Sequence, residues 1–192
     1  MLKTMGGVVL AVRDIDEAKS TFAALFDTKE FAPQHSDFYN ADVALLLCGT
    51  DFIGLASPTG DGAVAEHLDR WGEGLFAAIF TTDDVSAIAA RATERNVGFV
   101  EESGVLHLDP ASTFGLRMLV APYEDHGSAG IISFIYEVTH LVHDWKAARD
   151  FLTDLFGLEG AKFSPISSDQ YGYEGVLTLF DPPDKLDRIE VV

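Results

Sequence analysis

The chain has 192 residues, of which 47% are apolar and 23% charged, with a formal net charge of −18 and a pI near 4.4. That balance supports a sizeable globular core in one or two domains. The acidic excess, with no Lys/Arg cluster to reverse it, argues against nucleic acid and anionic membranes as partners and implies only a solvated acidic surface.

In chain order, Val8 to Val12 is a short β-type run. Asp14 to Asp27 follows with helical spacing, with Ala18, Phe22, Leu25 and Phe26 on one face. Asp14 and Glu17 have the form of a capping box. Asp42 to Cys48 and Phe52 to Ala56 are β-type runs. Cys48, the single cysteine, reads as a small buried hydrophobe. Ser57 to Gly62 is a turn-rich break, and a connecting helix is expected at about 63–71.

The same grammar returns twice. Leu75 to Thr82 reads as a strand, Asp84 opens a helix to about Arg95, and Val105 to Leu108 and Leu116 to Val120 read as strands. After the polar, glycine-containing stretch Pro122 to Gly130, Ile135 to Val142 reads as a strand and Asp144 caps a helix from Trp145 to Phe156. Gly175 to Phe180 and Arg188 to Val192 close the third unit. Ala148, Leu152, Leu155 and Phe156 repeat Ala18, Phe22, Leu25 and Phe26 at a constant offset of 130 residues. A repeated β-α-β-β-β pattern predicts an α+β fold of tandem βαβββ units, with helices outside a mixed sheet.

A strand followed by Asp, an apolar residue and a helix carrying Ala then Phe resembles the opening of a vicinal-oxygen-chelate (glyoxalase-like) repeat. Ala63 to Phe80 and Leu108 to Leu116 resemble the methylmalonyl-CoA epimerase branch of that superfamily. The resemblance implies a domain at 1–122, built from units 1–57 and 74–122 as a half-open cup. A third unit follows at 131–192, possessing half of what a second such domain needs. It also implies a divalent metal in the cup, held by His, Gln or Glu on the first and last strand of each unit.

Carried over residue by residue, the first-strand position lies seven residues before the capping Asp: Gly7 in unit one and Ala77 in unit two. The last-strand positions are Gly54 and Leu119. None of these side chains binds a metal, so no cofactor is expected in the first cup. In unit three the same positions are Glu137 and Glu190, both oxygen donors suited to a divalent metal (Fe, Mn, Zn, Ni, Co or Mg) but also ordinary sheet-surface carboxylates.

Arg117 and Arg188 stand two residues before Leu119 and Glu190. Alternation turns them to the cup as anchors for a substrate carboxylate or phosphate, unless each simply pairs with an acid. His107 is either a cup-facing binding residue or a core residue. His140 and His143, three apart on a strand, point to opposite faces and do not share a ligand. No nucleophile elbow, P-loop, dinucleotide fingerprint, CxxC or HExxH occurs.

Unit three lacks a fourth unit to pair with. The chain is therefore expected either as a homodimer through unit three or as a fragment of a longer four-unit chain. Met1 to Gly7 carries no signal-peptide core, and no run approaches the roughly 20 apolar residues of a membrane span, which places the expected location in the cytoplasm. The function expected is small-molecule binding, of a carboxylate or acyl compound, in a metal-free cup. The alternative is a metal-dependent lyase, isomerase or dioxygenase built on unit three and a partner.

Overall fold

Three aspartates start the three repeat helices. Asp14 accepts hydrogen bonds from the backbone N–H groups of Asp16 and Glu17, Asp84 from Ala87, and Asp144 from Ala147. Each satisfies donors that the first helical turn leaves without partners. The computed structural model describes residues 1–181 and 185–192. Its elements in order are β1 (Leu2–Ala11), α1 (Ile15–Phe26), β2 (Lys29–Glu30), β3 (Gln34–Ser36), β4 (Ala41–Cys48), β5 (Asp51–Pro58), α2 (Ala63–Trp71) and β6 (Gly74–Thr82). They continue with α3 (Val85–Glu94), β7 (Phe99–Glu102), β8 (Val105–Leu108), β9 (Met118–Pro122), β10 (Glu137–His140) and α4 (Trp145–Phe156). The short turn Gly160–Lys162, β11 (Phe163–Ser168), β12 (Tyr173–Asp181) and β13 (Lys185–Val191) complete the chain. No described helix is long and apolar enough to cross a membrane.

The βαβββ repeat is present three times with one topology. The strand before each helix neighbours the last strand of its own repeat: β1 beside β5, β6 beside β9, β10 beside β13. The β1–β5 and β10–β13 pairings are parallel, as a strand–helix–strand crossover requires. The strands that follow each repeat helix are illegible in the sequence: β2 and β3 in repeat one, β7 in repeat two and β11 in repeat three. Phe163–Ser168 contains Pro165 and three serines, which read as a loop; β11 is an edge strand, where a missing N–H costs no ladder bond. The expected strand Ile135–Val142 contracts to Glu137–His140, and Leu116–Val120 shifts to Met118–Pro122.

By packing, the chain forms two compact units: Gly6–Ile79 with Glu124–Ile135, and Met1–Met5 with Phe80–Tyr123 and Tyr136–Val192. The boundaries expected at 1–122 and 131–192 follow the repeats, whereas packing puts most of repeat two with repeat three. In that second unit α3 packs on α4, and Arg95 donates to Asp154 through Nε and Nη2.

In the first unit, Val12, Ala44, Leu46, Cys48, Ile53 and Leu55 form a buried core that receives Ala18, Phe22 and Phe26 from α1. Cys48 is buried there, and burial raises its thiol pKa. Leu25, expected on the same stripe, is 59% exposed. At about 100° per residue it lies roughly 80° from the mean direction of Ile15, Phe22 and Phe26, on the flank of the stripe. Its equivalent Leu155 is fully buried, because α4 has both a sheet and α3 against it.

Candidate functional site

Within the first unit, β1 and β5 set Gly7 opposite Phe52 and Val9 opposite Gly54. Directly paired residues share a face, so Gly7, Phe52 and Gly54 lie on the side away from α1, whose core takes Ile53 and Leu55. Gly7 has φ +143°, and a Cβ there would sit 2.0 Å from the Phe52 carbonyl oxygen. The backbone itself excludes a ligating side chain at this position. Gly54 is flanked by Val9 Cγ2, and Ala77 is buried at 2% exposure. Phe52 packs with Phe31 and His126, ring centroids 5.1 to 5.4 Å apart in edge-on geometry. The connection 124–135 thus brings an aromatic ring against Phe52, the strand partner of Gly7, which no repeat-based reading signals.

Within the second unit, repeat two sends Leu106, Leu108, Met118 and Val120 into the buried side with α3. His107 and Leu119 are strand partners and face the other way. Glu102 pairs with Val105 and Val100 with His107, so Glu102 shares this inner face. Glu102 Oε2 stands 3.9 Å from His107 Nε2. His107 is 6% exposed, and burial lowers its pKa below 6.5 against the opposing charge of Glu102. Arg117 lies half-buried one residue ahead of β9, outside the ladder that alternation governs.

Repeat three places its carboxylates together. The ladder sets Glu137 opposite Arg188 and Thr139 opposite Glu190, the same relation as Gly7–Phe52 and Val9–Gly54. Arg188 Nε donates to Glu137 Oε2 at 2.7 Å, and Thr139 Oγ1 donates to Glu137 Oε1 at 3.3 Å. The Arg188 guanidinium also lies 4.7 Å from the centroid of the Tyr136 ring. Burial, then the neighbouring Glu137 charge, pushes the Glu190 carboxyl above its ordinary range, with Arg188 opposing. Both Glu137 oxygens are engaged, one by a fixed cation. Among the described residues no three His, Cys, Asp or Glu side chains gather as metal ligands. As built, this cluster does not fit a divalent metal. His140 ends β10 half-buried, its pKa lowered by burial, while His143 lies exposed in the following loop.

No protein-family model and no curated protein matches the chain. Solved structures do. A methylmalonyl-CoA epimerase variant of Streptomyces coelicolor in complex with 2-nitronate-propionyl-CoA aligns with TM-score 0.58 and 22% identity, over 64% of this chain and 98% of that one. The epimerase of Mycobacterium tuberculosis aligns with TM-score 0.56 and 20% identity, over 62% and 87%. A hypothetical protein of Bacillus halodurans aligns with TM-score 0.55 and 16% identity, over 66% and 98%. The chain has the vicinal-oxygen-chelate fold that the sequence resemblance implies.

Proposed function

We propose that the chain binds a small organic molecule carrying an acyl or carboxylate group on the inner face of repeat two, without a metal. The observation that carries this reading is His107: a buried histidine, turned away from α3, with Glu102 3.9 Å away. With its pKa below 6.5 the imidazole is neutral at pH 7, keeping one N–H and one lone pair. Such a group hydrogen-bonds a carbonyl oxygen or exchanges a proton with a bound acid. Arg117, two residues before the strand partner of His107, supplies positive charge for a carboxylate or phosphate. The inert positions Gly7, Gly54, Ala77 and Leu119 support the metal-free reading. Solved epimerases of this fold hold 2-nitronate-propionyl-CoA and methylmalonyl-CoA, which makes short acyl-CoA thioesters the first class to test.

The test is calorimetric titration with CoA thioesters of short mono- and dicarboxylic acids, alongside metal analysis of the purified chain. Saturable binding is expected, weakened about tenfold or more in His107→Ala and Arg117→Ala and unchanged in Glu137→Ala plus Glu190→Ala. Stoichiometric divalent metal that disappears in the double variant would overturn the metal-free reading. It would favour a metal-dependent lyase, isomerase or dioxygenase on repeat three.

A further inference from the structure

The β8–β9 connection, Asp109–Arg117, runs from the strand that carries His107 to Arg117. Thr113 N–H and Gly115 N–H both donate to the Pro110 carbonyl, Leu116 N–H donates to Thr113, and Asp109 takes the Ala111 N–H on its side chain. Phe114 lies in this turn at φ +57°, a left-handed conformation that a Cβ disfavours. Such a residue persists where its surroundings over-determine it. Two side chains of repeat three meet it. The Phe114 ring packs edge-on against Phe151 of α4, centroids 5.7 Å apart. The His140 ring, at the end of β10, hydrogen-bonds the backbone of Thr113 and Phe114. Both bonds favour the charged ring, so the ring donates and the two carbonyl oxygens accept.

His140 pairs with Val191 and shares its side of the sheet, the one on which α4 packs. At the offset of 130 residues its equivalent in repeat one is Leu10, which packs on the core beneath α1. A leucine fills that space but donates nothing. The repeat departs from its apolar pattern at the place where the loop of repeat two arrives. We propose that repeat three supports the ligand loop of repeat two, with His140 as the positioning residue: from its place against Thr113 and Phe114 it fixes the course of the chain into Arg117. This rests on the reading of His107 and Arg117 as binding residues. The charged groups on the elements around the ring are Asp187 of β13, half-buried Arg149 of α4, and Asp109 and Arg117 of the loop itself. Burial lowers the pKa of the ring, and the two carbonyls oppose it.

Residue-resolved hydrogen exchange of the whole chain, corrected for intrinsic rates, tests this without any ligand. At pH 7 His140→Leu is expected to speed exchange at the Gly115 and Leu116 amides about tenfold or more, while Leu152 and Leu155 of α4 stay within about twofold of the parent. His140→Gln keeps a donor and is expected to restore most of the protection. In the parent the two loop amides are expected to lose protection as pH falls below 6.5, because a charged ring is disfavoured in its buried place, and in His140→Leu that dependence disappears. In titrations with the short acyl-CoA thioesters, His140→Leu is expected to weaken binding, and to add nothing to Arg117→Ala. Unchanged exchange at Gly115 and Leu116 in His140→Leu overturns the proposal. So does a loss shared equally by the α4 amides and not restored by His140→Gln. A parent chain that binds no thioester overturns instead the reading of His107 and Arg117, while the exchange result still decides what holds the loop.

Discussion

Gly7 stands directly opposite Phe52 across β1 and β5, and a Cβ on Gly7 would lie 2.0 Å from the Phe52 carbonyl oxygen. The Gly7 position of repeat one is therefore closed to any side chain by backbone as well as by residue type. Gly7→Ala must move β5 or abandon φ +143°, and is expected to cost about 2 kcal/mol or more in urea unfolding. Gly54→Ala meets only Val9 Cγ2 at 3.2 Å, a side-chain methyl, and is expected to cost under about 1 kcal/mol. Equal costs would show that the close approach at Gly7 is not what shapes this face.

Leu25 and Leu155 occupy the same place in two copies of one helix pattern but differ in neighbours. Leu155 is fully buried against sheet and α3, so Leu155→Ala is expected to cost about 2–5 kcal/mol. Leu25→Ala, at 59% exposure, is expected to stay within about 0.5 kcal/mol of the parent. Chemical denaturation of the two variants side by side decides this.

These residues also mark what was legible in the sequence. The three aspartate caps, the helices they open and the βαβββ order follow from local signals, because caps and apolar periodicity act within a few residues. The parity that turns His107 away from α3 follows from alternation. The exposure of Leu25 depends on whether a second helix lies alongside, which no local pattern encodes. Glu102 carries no local signal, because its strand β7, Phe99–Glu102, is short and charged. The His126–Phe52 contact joins a polar connection to a strand far away in sequence. Arg188 was readable as either a ligand anchor or an ion-pair partner, and only the β10–β13 register shows it beside Glu137.

Burial of His107 and His140 makes stability depend on pH with a definite sign. Both have folded pKa values below 6.5 because burial disfavours the charged ring. The unfolded chain then binds more protons than the folded one between the folded value and 6.5. Stability is expected to be full above that window and to fall as pH drops through it. His107→Gln should flatten the slope of unfolding free energy as pH falls below 6.5 without abolishing it, since His140 remains. An unchanged slope would mean that His107 is not desolvated in the folded chain.

Arg188 is the cation that keeps two neighbouring carboxylates compatible. Glu190 has a folded pKa above 4.5, so its ionisation opposes folding as pH rises through and beyond that value. Glu190→Gln is accordingly expected to stabilise the chain at pH 7 by under about 1 kcal/mol, with the gain vanishing well below pH 4.5, where both states are protonated. Arg188→Ala has the opposite consequence: it leaves Glu137 and Glu190 as unneutralised like charges and frees the Glu137 oxygen that Arg188 holds at 2.7 Å. The variant is expected to be less stable at pH 7 and to regain stability on adding millimolar Mn²⁺ or Ca²⁺, which the parent chain should not do, because a divalent cation then takes the place of the guanidinium. Thermal melts of both proteins with and without metal read this directly. Equal metal responses would show that Arg188 does not block the carboxylates.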